Sequence, residues 1–138
     1  MAAFEFPIRV YWEDTDAGGI VFYANYLRFF ERARTEWLRA LGLSQHALRE
    51  ATGGMFVVTA AQLQYHRPAR LDDELLVTAA VIAQGRASLT MAQQALRKPA
   101  HAHEAPTLLC EGEVRIGWVD SATLHPARIP NAVLERFA

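Results

Sequence analysis

Alternation of apolar and polar positions from Phe6 to Trp12 sets Ile8, Val10 and Trp12 opposite Arg9 and Tyr11, which predicts a β-strand. The pair Gly18-Gly19 breaks that pattern, and from about Tyr23 to Leu41 the period changes. Tyr26, Phe30, Ala33, Trp37 and Leu41 recur every three or four residues, and Phe29 and Leu38 widen the stripe. Arg28, Arg32, Arg34, Glu36 and Arg39 take the remaining positions. This is the pattern of an amphipathic helix of about five turns. Gly42 suits the left-handed position after a helix, Leu43 can cover that end, and Ser44 can cap a short second helix to about Ala51. Beyond Thr52-Gly53-Gly54 the chain reads as strands: Phe56 to His66, Glu74 to Gln84, Ala87 to Arg97 and Thr107 to Val119. Gly85 turns one of these into the next, and a polar loop fills Lys98 to Pro106. The order strand, long helix, short helix, then four strands in meander order predicts an α+β domain with one antiparallel sheet against one long helix.

The chain has 138 residues, enough for one domain with a real core, so we read 1–138 as a single unit without repeats or linkers. Its 51% hydrophobic content and formal net charge of -1 fit an ordinary globular protein and disfavour a general nucleic-acid or anionic-membrane binder. A single cysteine, Cys110, allows no intrachain disulfide and fits a reducing compartment. The start Met1-Ala2-Ala3-Phe4-Glu5-Phe6-Pro7 lacks the pattern of a signal peptide, and no run reaches the length of a membrane span, so the expected location is the cytoplasm.

Candidate chemistry concentrates in Glu13-Asp14-Thr15-Asp16-Ala17-Gly18-Gly19-Ile20-Val21-Phe22-Tyr23, between the first strand and the long helix. A carboxylate beside free N–H groups at a helix start can attack, or direct water at, a carbonyl whose oxygen those groups polarise. That suggests hydrolysis of an activated acyl group. On the residues alone an aspartate before a glycine pair is more often a turn or capping residue. The acids Glu13, Asp14 and Asp16 lack the later acidic ligand of a calcium loop, so no metal is expected.

The run Val10 to Gly19, then Tyr26, then Glu31-Arg32-Ala33-Arg34-Thr35-Glu36, resembles the hotdog-fold acyl-CoA thioesterases. Within them it is most similar to the 4-hydroxybenzoyl-CoA thioesterase group, and there to the bacterial branch encoded beside the Tol–Pal envelope system. Tyr65-His66-Arg67-Pro68-Ala69-Arg70-Leu71-Asp72-Asp73-Glu74-Leu75 resembles the segment leading into that family's third strand. The resemblance implies a sheet wrapped around one long central helix. It makes Asp16 the catalytic carboxylate, as nucleophile or general base, and the backbone N–H of Tyr23 the group that polarises the thioester carbonyl. Gly18, Gly19, Val21, Phe22 and Tyr26 then fall on the acyl side of the site. Arg86 and Ser88 fall where the family contacts the CoA nucleotide, although a surface role for Arg86 is an equal alternative. The closest branch usually carries histidine at Tyr23, whereas the aromatic-CoA branch carries tyrosine, so the branch does not decide the substrate.

The substrate implied is an acyl-CoA, short to medium aliphatic first, with aromatic acyl-CoA and acyl carrier protein thioesters as alternatives. CoA belongs to the substrate, and no separate cofactor is expected. The resemblance also implies a homo-oligomer, tetramer before dimer, joined sheet edge to sheet edge. Two other classes are open to the fold: a dehydratase, whose histidine and partner acid are missing from their context here, and a non-catalytic acyl-CoA or acyl-carrier binding module. Asp14 is expected to orient the loop. Glu31 and Arg32 form either a solvated face or a half-buried pair. His66 reads as structural rather than catalytic; His46, His101, His103 and His125 lack metal-ligand spacing; nothing marks Cys110 as a nucleophile.

Overall fold

A computed structural model describes residues 3–137. The elements are β1 (Phe4–Arg9), α1 (Asn25–Ala40), α2 (Gln45–Thr52), β2 (Gly54–Tyr65), β3 (Glu74–Gln84), β4 (Ser88–Arg97), β5 (Thr107–Asp120) and a short α3 (Asn131–Leu134). The predicted α+β class is the observed one, and most boundaries lie within two residues of those read from the pattern.

The strands form one five-stranded antiparallel sheet in the order β1-β3-β4-β5-β2. The meander therefore holds only for β3, β4 and β5. Instead of lying beside β3, β2 pairs with the far side of β5, because β1 occupies the other edge of β3. The connection from β2 to β3 crosses in front of the start of α1, where Ala69 is fully buried.

Tyr26, Phe29, Phe30, Ala33, Trp37 and Leu38 of α1 are buried and pack against the inward residues Ile8, Leu75, Val77, Ala79, Leu89 and Met91 of the sheet. Phe29 and Phe30 are fully buried, each worth about 1.5–3 kcal/mol relative to exposure. The end of α1 follows the sequence reading. Gly42 has φ +80°, its N–H donates to the Arg39 carbonyl, and the Leu43 N–H donates to the Leu38 carbonyl at 2.8 Å, closing a Schellman motif. Ser44 Oγ accepts from the Ala47 N–H to cap α2.

Two expectations change, and one open choice is decided. The first strand starts and ends earlier than predicted: Trp12 leaves its alternating face for a short 3-10 turn, Trp12–Asp14, and is 82% exposed. Arg34, placed by periodicity on the outer side of α1, is buried. Its Nη1 donates to Gln93 Oε1 at 2.9 Å, and Gln93 Nε2 donates to the carbonyls of Phe30 and Thr78, so β4 supplies the polar partner that a buried guanidinium needs. Of the two readings of Glu31 and Arg32, the solvated face is the observed one, since both are exposed. After β5, Ile129 and Val133 close the core and Phe137 stacks on Trp37 at 5.1 Å.

Candidate active site

The loop between β1 and α1 is held at both ends before its tip is shaped. Val10 donates its N–H to the Asp73 carbonyl and accepts from the Asp72 N–H, fastening the loop to the approach to β3. Asp14 then ties the loop to the helix start. Its Oδ2 accepts from the Tyr11 N–H at 2.8 Å, its Oδ1 from Asn25 Nδ2 at 2.8 Å, and its carbonyl from the Phe22 N–H at 3.0 Å. Asp14 and Asn25 are both buried. With both oxygens occupied, Asp14 is an orienting group, the role expected of it.

The tip is a narrow turn. Thr15 and Val21 form an antiparallel bridge, the Asp16 N–H donates to the Ile20 carbonyl, and the Gly19 N–H donates to the Asp16 carbonyl. Gly19 has φ +77°, which a side chain would strain. At Gly18 a Cβ would stand 3.2 Å from Asp16 Oδ1. The Gly18 N–H donates to the same Oδ1 at 2.8 Å, in a turn that a Cβ at Gly18 would crowd.

That bond turns the Asp16 carboxylate without consuming it. No donor among the described residues reaches Oδ2, and the side chain lines an open cleft of about 320 Å³ with Glu13, Thr15, Phe22, Ala24, Asn25 and Arg28. Phe22 is 47% exposed and offers the cleft an apolar wall.

Tyr23 lies two residues before α1 rather than within it, and Ala24 is the N-cap. The peptide carrying the Tyr23 N–H is fixed, because the Phe22 carbonyl on its other side accepts from the Asn25 N–H at 2.8 Å. No acceptor among the described residues takes the Tyr23 N–H. It is an orphan donor at the positive end of a sixteen-residue helix. The Tyr23 carbonyl accepts from the Tyr65 hydroxyl at 3.0 Å, and the two rings meet edge-on at 6.2 Å. Burial, reinforced by Cys110 and Tyr23, pushes the Tyr65 phenol up, so it stays a donor.

The other sequence candidates divide by position. Val21 and Tyr26 are buried and frame the loop from behind. The Val21 N–H donates to the Ala69 carbonyl, and the Tyr26 hydroxyl accepts from the Ala69 N–H at 3.2 Å. Burial raises the Tyr26 phenol as well. Arg86 and Ser88 sit at the opposite end of β3 from Asp16, so one chain does not bring them together. Ser88 Oγ accepts from Arg115 at 3.4 Å, and the Arg86 carbonyl accepts from the Ile129 N–H. His66 lies 3.4 Å from Glu111. His101 and His103 stack on each other in the β4–β5 connection. Cys110 is fully buried, and burial lifts its thiol to about 12, which removes it as a nucleophile at neutral pH.

Sequence reasoning missed Asn25, Tyr65 and Arg28. A signal existed for Asn25, a capping-type residue at a helix start. Tyr65 opens the segment that resembles the family, but no local pattern shows its contact with Tyr23, which spans 42 positions.

Residues 10–137 match the Thioesterase-like superfamily. The acyl-CoA thioester hydrolase YbgC of Escherichia coli is 40% identical over 134 residues, covering 97% of this chain and 95% of that protein. The solved structure of a probable thioesterase from Bartonella henselae superposes with a TM-score of 0.81 at 32% identity, covering 94% of this chain and 100% of that one. That of 4-hydroxybenzoyl-CoA thioesterase in complex with 4-hydroxybenzoyl-CoA superposes at 0.89, with 18% identity and 99% of both chains covered, a likeness of fold. The architecture is the hotdog fold of the thioesterases. The chain belongs to the thioesterase-like superfamily and, within it, to the family of the YbgC acyl-CoA thioester hydrolases.

Proposed function

We propose that this protein hydrolyses acyl-CoA thioesters to free acid and CoA, with Asp16 as the reacting carboxylate and the Tyr23 N–H as the oxyanion donor. The observation that carries the reading is a carboxylate with one oxygen anchored by Gly18 and the other open to a cleft, on the loop that ends in an unengaged N–H. A thioester carbonyl needs little activation, because thiolate is a good leaving group. In the general-base route Asp16 takes a proton from water, the water oxygen adds to the carbonyl carbon, and the oxyanion rests on the Tyr23 N–H. Collapse breaks the C–S bond and the CoA thiolate leaves with the proton. In the nucleophilic route an Asp16 oxygen displaces the thiolate, and water then hydrolyses the mixed anhydride, restoring the carboxylate.

Short to medium aliphatic acyl groups are the proposed substrates, the exposed Phe22 supplying apolar wall; aromatic acyl-CoA is the alternative. We assign the reaction to the cytoplasm, a reading supported by the single free cysteine. The working form is a homo-oligomer, a tetramer built from dimers. Support comes from the separation of Asp16 from Arg86 and Ser88 by the eleven-residue length of β3, roughly 35 Å. A second chain packed head to tail would bring a nucleotide-binding end to each acyl-binding end.

The test is a panel of aliphatic and aromatic acyl-CoAs with a thiol reagent, run on protein sized by light scattering. Thiol release that is fastest for an aliphatic chain supports the reading. Saturable binding without release overturns it in favour of a binding module, and an active monomer overturns the assembly.

A further inference from the structure

We propose that Tyr65 is a positioning residue for thioester hydrolysis, its hydroxyl clamping the Tyr23 carbonyl and so fixing the direction of the Tyr23 N–H. The inference rests on the proposal that this N–H receives the oxyanion. Tyr23 joins two peptide planes. The plane before it carries the N–H, and the Phe22 carbonyl of that plane accepts from the Asn25 N–H. In a trans peptide the N–H lies on the side opposite the carbonyl. A peptide held only at its carbonyl oxygen pivots there, and its N–H sweeps through an arc. A second anchor beyond the Tyr23 Cα removes that freedom.

That anchor is the Tyr65 hydroxyl, which donates to the Tyr23 carbonyl at 3.0 Å. No other donor among the described residues reaches this carbonyl. Tyr65 is itself firmly placed. It is the last residue of β2 and pairs with Cys110 of β5, and the N–H groups of His66 and Arg67 that follow both donate to the Leu109 carbonyl. Its ring meets that of buried Tyr26 edge-on at 5.7 Å. The clamp therefore ties the end of the sheet to the loop that carries the site. Burial keeps the phenol protonated, so the hydroxyl stays a donor at neutral pH.

The same bond contributes little to stability. Tyr65 is 49% and Tyr23 64% exposed, so water can take over the carbonyl once the hydroxyl is gone. Water satisfies the carbonyl but does not hold it in one direction. The loss should therefore appear where the oxyanion forms, in the transition state, and not in folding or in binding of the ground state.

Tyr65→Phe keeps the ring and its edge-on contacts and deletes only the hydroxyl. In the thiol-release assay with the best acyl-CoA, kcat should fall at least about tenfold while KM stays within about threefold of wild type. The melting temperature should drop by less than about 4 °C. A thioether analogue of that acyl-CoA, with a methylene in place of the thioester carbonyl, should bind the variant within about threefold of wild type. A smaller loss in kcat overturns the proposal. A larger drop in melting temperature also overturns it, because the hydroxyl then supports the fold. Weaker thioether binding or a larger change in KM overturns it as well, because the hydroxyl then touches the substrate itself. A wild-type protein that releases no thiol overturns the hydrolase reading and the clamp together.

Discussion

Removing the Asp14 carboxylate tests whether the site is held by the bonds described for it. Asp14→Ala strips an acceptor from two donors, Asn25 Nδ2 and the Tyr11 N–H. Asn25 is buried, so its amide is orphaned at about 1–3 kcal/mol, while the Tyr11 N–H is partly wet and loses about 1 kcal/mol. The sum, about 2–4 kcal/mol, is a large share of the roughly 5–15 kcal/mol by which a domain is stable. At about 4 °C per kcal/mol for a chain of this size, the melting temperature should fall by about 8–16 °C. Asp14→Asn is milder. The Asn25 amide can turn to accept from the new amide while the remaining oxygen keeps Tyr11, so the loss is the charge-assisted share, about 1 kcal/mol or about 4 °C. Turnover should follow the geometry. With the Asn25 side chain no longer tied to the loop, the helix start that holds the Phe22–Tyr23 peptide through the Asn25 N–H loses its fixed position, and kcat/KM should fall about 10–100-fold in the alanine variant and less than about tenfold in the asparagine variant. Thermal melts by circular dichroism at one protein concentration, with steady-state thiol release, read both effects. An alanine variant that melts within about 2 °C of wild type would refute the reasoning. So would strict additivity with Asn25→Ala, since bonded groups must couple.

Tyr23→Phe and Tyr23→His both keep the backbone N–H and should retain most activity in the same assay; a loss beyond about tenfold in the phenylalanine variant would bring the hydroxyl into the chemistry. Cys110 should resist a thiol reagent at pH 8 in the native protein and react once unfolded, and rapid native labelling would contradict its burial. Its folded pKa of about 12 lies above the ordinary 9.0. The unfolded chain therefore sheds this proton first, and the contribution of Cys110 to stability, fully present below pH 9, should be lost as pH rises from 9 toward 12.

What could be read in the sequence was local. The stripe from Tyr26 to Leu38 and the end at Gly42 depend on residues within a few positions of one another, and α1 follows them closely. The acidic turn was legible for the same reason, since Asp16, Gly18 and Gly19 contact within four residues. The failures are non-local. Nothing near β2 states that it pairs with β5 rather than β3; that follows from which edges are already taken. Arg34 occupies a helical position that reads as solvent-facing, and only Gln93, 59 residues away, makes its burial tolerable. Trp12 continues an alternating pattern, but Asp14 captures the Tyr11 N–H and curls the chain out of the sheet. The length of the strand between Asp16 and Arg86 was legible, Glu74 to Gln84, but not which end of the sheet each residue would occupy.

The most direct test of the central claim is thioester turnover by purified Asp16→Asn. The substitution keeps the volume and leaves the amide oxygen to accept from the Gly18 N–H, so the protein should fold and melt close to wild type. It removes the carboxylate needed as base or nucleophile, so kcat/KM for the best acyl-CoA should fall at least about 100-fold. Turnover near wild type, or a smaller loss than in Asp14→Asn, would contradict the account and move the chemistry to another carboxylate.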